Sequence, residues 1–598
     1  MIAIRTSVIA CAAAVLLGAC ASSPSFHYEV PVTGMQAPEA ASGYTEKSGT
    51  TAKKFMVAAA NPLATDAGYQ VLKAGGSAVD AAIATQMVLN LVEPQSSGIG
   101  GGAFLMYFDG NTVKAFDGRE TAPARATEKL FQDANGKALP FYEGVVGGRS
   151  VGAPGVLRML ELAHQQYGKL PWADLFSPAI RLAEQGFAVS PRLSILLSTE
   201  QHLKKDAVAA AYFYDPQGAP WPVGHVLKNP LLAQVFKEIA AGGADSFYKG
   251  RIARDIAAKV GSHPLNPGLL TAADIAGYQA KVREPVCSDY KAWTVCGMPP
   301  PSSGGIAIAQ MLGMLEAKDI RPFAPKDGVL NADAVHLFSE VGRLAYADRG
   351  LYVADTDFVQ LPGNSFKPLL DKQYLAQRAA LIGDKSMGPA KPGTPPAMRL
   401  AWGQDTSPEL PGTSHISIVD GYGSAVSMTT TIEDAFGSRQ MVDGFLLNNQ
   451  LTDFSFDSAD ANGPIANRVQ GGKRPRSSMA PTLVFEKGTK KLVLSTGSPG
   501  GSAIINYVGK VLVGTMDWGL NVQQAISLPN FGSRNGPTEL EQGRVSDALV
   551  EALKAKGHNV RVMEQTSGLQ GIMRINIHGE EMWFGGADPR REGIVKGD

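Results

Sequence analysis

From residue 54 to 92 apolar residues recur at helical spacing, stop at Gly75-Gly76, and resume behind Ser77-Ala78-Val79-Asp80. That capping-box-like sequence predicts a second helix through Val92. The same periodicity predicts helices at 154–186, 228–241 and 330–349, separated by turns such as the Gly- and Pro-rich stretch Met298 to Gly305. Residues 388–412 break the pattern, because six prolines and four glycines exclude a regular element there and predict a loop. Immediately afterwards the periodicity changes to two. His415-Ile416-Ser417-Ile418-Val419 alternates, Gly421-Tyr422-Gly423 turns, and Ala425 to Ile432 returns as a Thr-rich strand. A second hairpin, Thr482 to Phe485 with Lys491 to Ser495, turns at Lys487-Gly488. Gly497 to Ser502 then opens a helix to about Trp518, and helices near 522–528 and 546–556 precede strands around 572–577 and 581–584. Helices, paired antiparallel strands and helices again predict a layered sandwich, in class α/β (α+β). No internal repeat is present.

Composition narrows the function classes. The chain has 598 residues, 44% hydrophobic and 18% charged, as in soluble globular proteins. Lysine plus arginine equals aspartate plus glutamate at 55 each, so no global field favours nucleic acid, and a small substrate is expected. The N-terminus differs from the rest: Arg5, an apolar run from Val8 through Leu17, then Gly18-Ala19-Cys20 read as a signal peptide over 1–20. Leu17 to Cys20 resembles a bacterial lipobox, which makes Cys20 a candidate for acylation; an ordinary signal cut nearby is the alternative. Residues 21–53, rich in Ser, Ala, Pro and Gly, read as a tether. No later segment reaches the ~18 to 20 unbroken apolar residues of a membrane span. The expected location is periplasmic, at the cell envelope, with membrane contact only through the lipid anchor. Of the remaining cysteines, Cys287 and Cys296 flank a hairpin-like Ser288 to Val295, and an oxidising compartment permits a disulfide between them.

Several chemistries lose support. Gly98-Ile99-Gly100-Gly101-Gly102-Ala103 looks like a dinucleotide fingerprint, but a helix precedes it and a strand-like Phe104 to Phe108 follows, the reverse of what that motif requires. The nine histidines are scattered, and no HExxH, CxxC or G-x-S-x-G is present, so no metal or other cofactor is expected. What remains is Thr413, at the junction of the Pro/Gly-rich loop and a strand. A threonine hydroxyl is a poor nucleophile without an adjoining base, and one solution is its own free α-amine. Thr413 acquires one only if the Gly412–Thr413 peptide is cut. Taken alone, the position also fits a threonine that merely begins a strand.

From about residue 54 onward the chain resembles the γ-glutamyltransferases, through six separated motifs. Gly412-Thr413-Ser414-His415-Ile416-Ser417-Ile418-Val419-Asp420 is similar to the family's autoprocessing junction, which makes Thr413 both the self-cleaving residue and the catalytic nucleophile. Thr431, in Thr429 to Glu433, matches the second threonine that orients it. Asp117 to Pro123 matches the segment whose arginine, Arg119, holds the substrate α-carboxylate. Leu447 to Phe454 matches the segment that binds the α-amino group. Lys473 to Met479 supplies two carboxylate-binding serines, Ser477 and Ser478. Gly497 to Ser502 supplies the oxyanion hole through Gly500 and Gly501.

The resemblance implies a four-layer αββα sandwich of the N-terminal-nucleophile hydrolase type. It implies a large subunit, 54–412, and a small subunit, 413–598, held as a heterodimer. It implies that glutathione or related γ-glutamyl amides acylate Thr413, and that water, an amino acid or a dipeptide resolves the ester. Many members carry asparagine where this chain has Glu433; with Gln450 and Asp453 it would form an acceptor-rich cradle for an ammonium. Between Asp453 and Arg474 the segment Phe456 to Gln470 lacks the tyrosine of longer lids in some members. The alternatives are a glutaryl-type β-lactam side-chain acylase of the same fold and a non-catalytic amino-acid-binding lipoprotein.

Overall fold

The computed structural model describes residues 44–398, 402–405, 407 and 412–598. The signal peptide, Cys20 and the beginning of the tether lie outside the described residues. The end of the tether is folded. Thr50–Ala52 is a strand paired with Trp583 to Gly585, and the Arg544 guanidinium lies 3.7 Å from the centre of the Tyr44 ring. Folded structure is thus present within residues 44–53, ahead of the residue 54 read from composition.

Two seven-stranded antiparallel sheets form the centre. One runs Thr50–Ala52, Glu580–Ala587, Gln570–Ile577, Leu492–Gly497, Thr482–Glu486, Trp293–Gly297 and Val286–Tyr290. The other runs Ile594–Gly597, Met56–Ala59, Thr413–Val419, Ala425–Thr431, Gly102–Phe108, Val113–Gly118 and Lys281–Arg283. Alternation along the second sheet builds the layers, since successive side chains point to opposite faces. Val57, Leu105, Phe116, Ile416, Ile418 and Met428 pack with helices Pro62–Lys73 and Ala78–Val92. Met56, Ala58, Phe104, Met106 and Ala115 join a second core with Leu483, Leu494 and Ile572 of the other sheet and with helices Gly304–Ala317, Ala332–Tyr352 and Ile504–Met516. Helix, sheet, sheet and helix are thus stacked, as the resemblance implied.

Local expectations and structure differ where packing outweighs periodicity. The helical reading of 54–92 holds from Pro62, but Met56–Ala59 is a fully buried strand, its apolar run too short to declare its period. The expected helix at 154–186 is Val156–Tyr167 and Ser177–Gln185 around a 3-10 turn, and a further strand, Ile594–Gly597, closes the second sheet. The capping box at Ser77 is present: Ser77 Oγ accepts from Asp80 N at 3.2 Å, and Asp80 accepts from Ser77 N at 2.8 Å. Among the described residues no helix is long and apolar enough to cross a membrane.

Cys287 and Cys296 are directly opposite one another on adjacent strands and are bridged. The bridge closes a short loop on the sheet's outermost strand. Replacing both with serine should lower stability by about 3 kcal/mol at most, the chain-entropy limit for so short a loop. Thermal unfolding with and without the bridge measures it, and turnover should be unchanged; loss of turnover at full stability would tie the bridge to the site.

Candidate active site

The site grows from the register of one hairpin. Thr413–Val419 pairs with Ala425–Thr431 so that Thr413 lies directly opposite Thr431, both on the face between the sheets. Thr413 Oγ1 donates to Thr431 Oγ1 at 3.3 Å, and Glu433 N donates to the same oxygen at 2.8 Å. The Thr431 hydroxyl then has one donor left, which goes to the carbonyl of Gly412 at 2.7 Å. Backbone crowding explains the glycines here. A Cβ on Gly412 would meet Glu433 O at 2.2 Å, and one on Gly101 would meet Thr431 O at 2.1 Å. The glycine run at 98–102 thus lets backbone pass close behind the second threonine. The strand side of the junction is pinned from elsewhere: Ser414 Oγ donates to Glu93 at 2.7 Å, Glu93 is held by Arg192 at 2.7 Å, and Arg591 reaches Thr413 O at 3.5 Å.

Arg119, Thr413, Thr431, Glu433, Gln450, Asp453, Ser477, Ser478 and Gly501 line one small pocket. Arg119 follows the strand Val113–Gly118 and is fully buried; its Nε donates to Pro475 O at 3.2 Å, its Nη2 to Arg476 O at 2.9 Å, and it pairs with the Asp453 carboxylate. Asp453 also accepts from Gln450 Nε2 at 2.9 Å, within the 3-10 turn Gln450–Asp453. Glu433 sits at φ 80°, a conformation strained for a side-chain-bearing residue, and its carboxylate accepts from Asn449 Nδ2 and Thr452 Oγ1. Ser478 Oγ accepts from Arg349 at 2.7 Å, and the Ser477 carbonyl is gripped by Ser303 N and Oγ, each at 2.7 Å. Gly500, at φ 137°, starts the turn Gly501–Ala503 that leads into helix Ile504–Met516; Gly501 lines the pocket and Gly500 is not among its lining residues.

Several contributors were not singled out from sequence: Asn449 and Thr452 behind Glu433, Arg349 and Ser303 behind the serines, Glu93 and Arg591 behind Thr413 and Ser414, and Glu120. The signal for Asn449 and Thr452 was available, since they lie in the motif that carries Gln450 and Asp453. The others reach the site from distant elements, which spacing does not reveal. Glu120, next to Arg119, is completely buried, and burial outweighs the Arg119 guanidinium 3.8 Å away, pushing its carboxyl up to about 8. It is therefore protonated at neutral pH and adds no negative charge. His415 is close in sequence but is no general base: burial pushes it down to about 3, and its ring is engaged by Thr429 and Ser417. His336, Glu340 and His558 also come together. Their groups are mutually satisfied: His336 and His558 share a 2.7 Å hydrogen bond, and Glu340 accepts from Arg343, Ser386 and the Met387 amide.

Comparison with known proteins agrees with this geometry. The family model "Gamma-glutamyltranspeptidase" matches residues 64–597. A glutathione hydrolase proenzyme of Escherichia coli is 38% identical over 552 residues, covering 90% of this chain and 91% of that protein. An acylase ACY 1 proenzyme of a Pseudomonas species is 34% identical, covering 91% and 93%. The solved cephalosporin acylase of Bacillus halodurans superimposes with a TM-score of 0.80 at 28% identity, covering 94% of this chain and 99% of its own. With a buried threonine pair at the end of a two-sheet core and a match along nearly its whole length, the chain belongs to the γ-glutamyltranspeptidase family of hydrolases.

Proposed function

We propose that the chain is a proenzyme that cuts itself between Gly412 and Thr413 and then cleaves γ-glutamyl amides. The observation that carries this reading is the hydroxyl relay at the junction: Thr413 donates to Thr431, and Thr431 donates to the carbonyl of the peptide to be cut. Thr413 Oγ1 attacks the Gly412 carbonyl carbon while the Thr431 hydroxyl steadies the oxyanion. The C–N bond breaks, its nitrogen takes up the proton given up by the Thr413 hydroxyl, and an ester joins Gly412 to the Thr413 side chain. Water hydrolyses the ester, leaving a carboxylate on Gly412 and restoring the hydroxyl. The uncut pocket holds only about 20 Å³ of free space, room for about one water, so substrate enters only after the junction opens. The two chains stay together because their strands interleave: Thr413–Val419 pairs with Met56–Ala59, and Ala425–Thr431 with Gly102–Phe108.

The freed α-amine of Thr413 then serves as base, its reference pKa of about 7.7 to 8.0 leaving part of it neutral near pH 7.5. The Thr413 hydroxyl attacks the γ-carbonyl carbon of the substrate, the amine leaves with the proton, and a γ-glutamyl ester remains for water or an acceptor amine. Gly501 lines the pocket at the start of its turn, and its amide is assigned to the developing oxyanion. Selectivity follows from the Arg119–Asp453 pair. A γ-glutamyl group carries both charges at its α-carbon, so its carboxylate takes Arg119 and its ammonium takes Asp453, with Glu433 and Gln450 beside it. A glutaryl group takes Arg119 and leaves Asp453 without that cation, which a buried site penalises. The acylase relatives keep the glutaryl reading as the alternative. Export and acylation at Cys20 belong to the same proposal, on the strength of Leu17 to Cys20, and the intact mass of the mature large chain tests them.

The purified protein should show two chains on a denaturing gel, the smaller beginning at Thr413. Thr413→Ala should remain one chain, Thr431→Val should process far more slowly, and Gly412→Ala should stay uncut because its methyl collides with backbone. N-terminal sequencing that finds an intact 412–413 bond in active enzyme would sink the mechanism.

On chromogenic anilides the mature enzyme should strongly prefer γ-glutamyl over glutaryl, and Asp453→Asn should narrow that gap. Equal rates on the two anilides would make the acylase the better reading. Arg119→Lys keeps the charge but not the planar fork, and should lower kcat/KM by about one to two powers of ten, the equivalent of a lost charge-assisted bond of about 1.5 to 3 kcal/mol.

A further inference from the structure

A second buried carboxylate holds Arg119 from the side away from Asp453. Asp117, in the strand Val113–Gly118, is fully buried, and its two oxygens do different work. Its Oδ1 accepts from the backbone amide of Arg119 at 2.8 Å, while its Oδ2 accepts from Arg283 Nε at 2.7 Å and pairs with Arg474 Nε at 3.3 Å. Arg474 leads into Pro475 and Arg476, whose carbonyls accept from Arg119 Nε at 3.2 Å and from its Nη2 at 2.9 Å. Asp117 thus bonds the main chain of Arg119 directly and, through Arg474, the segment that grips its guanidinium.

The join between these segments has further ties. Asp355 accepts from the Arg474 amide at 2.8 Å, Asp357 accepts from Arg283 Nη2 at 2.8 Å and lies 3.7 Å from Arg474 Nη1, and Arg474 Nη2 donates to Gln279 O at 2.7 Å. Lys281 pairs with Asp357 at 2.6 Å, and the Arg119 carbonyl accepts from the Tyr278 hydroxyl at 2.8 Å. Of the three aspartates, it is Asp117 that bonds Arg119 as well. All of these groups lie outside residues 388–412, so the arrangement does not involve the segment that precedes the cut. The position calls for a carboxylate, because both oxygens accept, one from an amide and one from cations. An asparagine has one acceptor and one donor, so it either releases the Arg119 amide or turns its NH2 group toward two guanidinium groups.

We propose that Asp117 is a positioning residue for recognition of the substrate α-carboxylate: it sets the main chain of Arg119 and, through Arg474, the Pro475 and Arg476 carbonyls that orient the Arg119 fork. The inference rests on the reading of Arg119 as the carboxylate anchor. Asp117 touches no substrate. A planar guanidinium takes a carboxylate through two parallel bonds only where its plane is fixed, and here that plane is fixed by the two carbonyls. Asp355, Asp357 and Gln279 still join the segments when Asp117 is replaced, so what the replacement loosens is the fork.

A double-mutant cycle on the mature two-chain enzyme tests this. Asp117→Asn should raise KM for γ-glutamyl-p-nitroanilide about tenfold with kcat nearly kept, since the loss falls on binding shared by ground state and transition state. Asp117→Asn combined with Arg119→Lys should have a kcat/KM within about threefold of Arg119→Lys alone, because a residue that acts through the fork has nothing left to position. An unchanged KM in Asp117→Asn, or single losses that multiply in the double variant, would overturn the proposal. If Asp117→Asn fails to mature, Arg474→Lys takes its place in the same cycle with the same expected outcome, and if neither matures the proposal gives way to a purely structural role. An Arg119→Lys enzyme with unchanged kcat/KM would defeat the reading of Arg119 and this proposal together, whereas a large loss there beside an unaffected Asp117→Asn defeats only the positioning role.

Discussion

The active site depends on the register between Thr413–Val419 and Ala425–Thr431. With Thr413 opposite Thr431, both hydroxyls point into the seam between the two sheets, and the Gly412 carbonyl comes within reach of the second one. A slip of one residue would turn every side chain to the opposite face and aim Thr413 at the helices. The register is held from both faces. Ile416 and Ile418 are buried against the helical layer. On the seam side hydroxyls stitch the sheets: Ser427 Oγ donates to Thr496 O at 2.9 Å, and Ser495 Oγ to Val426 O at 3.0 Å. The Thr-rich character of these strands is therefore structural at most positions, and only Thr413 and Thr431 take part in the proposed reaction.

Charge in the pocket is arranged so that no buried ion stands alone. Arg119 and Asp453 neutralise one another, Glu433 is met by Asn449 and Thr452, and Glu120 carries a proton because burial outweighs its neighbour's charge. Such a site does not favour a singly charged ligand, since taking one member of the pair exposes the other to a medium that solvates it poorly. A zwitterion exchanges one internal pair for two external ones. The fold is shared with acylases, so the γ-glutamyl reading rests on this local charge balance and not on the architecture.

The loop before Thr413 contributes to folding and to chemistry at different points along its length. Near Asp405 it is tied by a buried ion pair with Arg476, a backbone bond to Gly350 and a cap on Ser407. At Gly412 it threads between Glu433 and Asp434 with no room for a side chain. Proline and glycine in the stretch disfavour a competing helix or strand.

The sequence by itself carried the helix at Ala78 with its capping box, the alternating strands that begin at Thr413, the order of helix before and strand after the glycines at 98–102, and the motif residues of the pocket. These are local signals: a period, a cap, a turn, or a run of residues a few positions apart. It could not show that Met56–Ala59 is a strand, because four apolar residues have no readable period, nor that the tether's end adds a strand to a sheet edge formed more than five hundred residues later. It could not show that Arg119 and Asp453 meet, or that Arg349, Ser303, Glu93 and Arg591 support the site. Those partners are brought in by two sheets and two helical layers packing together, and long-range packing leaves no mark in the spacing of neighbours along the chain. The sequence determined which groups the chain could bring to a reaction; only the tertiary structure decided which of them stand within hydrogen-bonding distance, because that distance is set by strand register and layer packing.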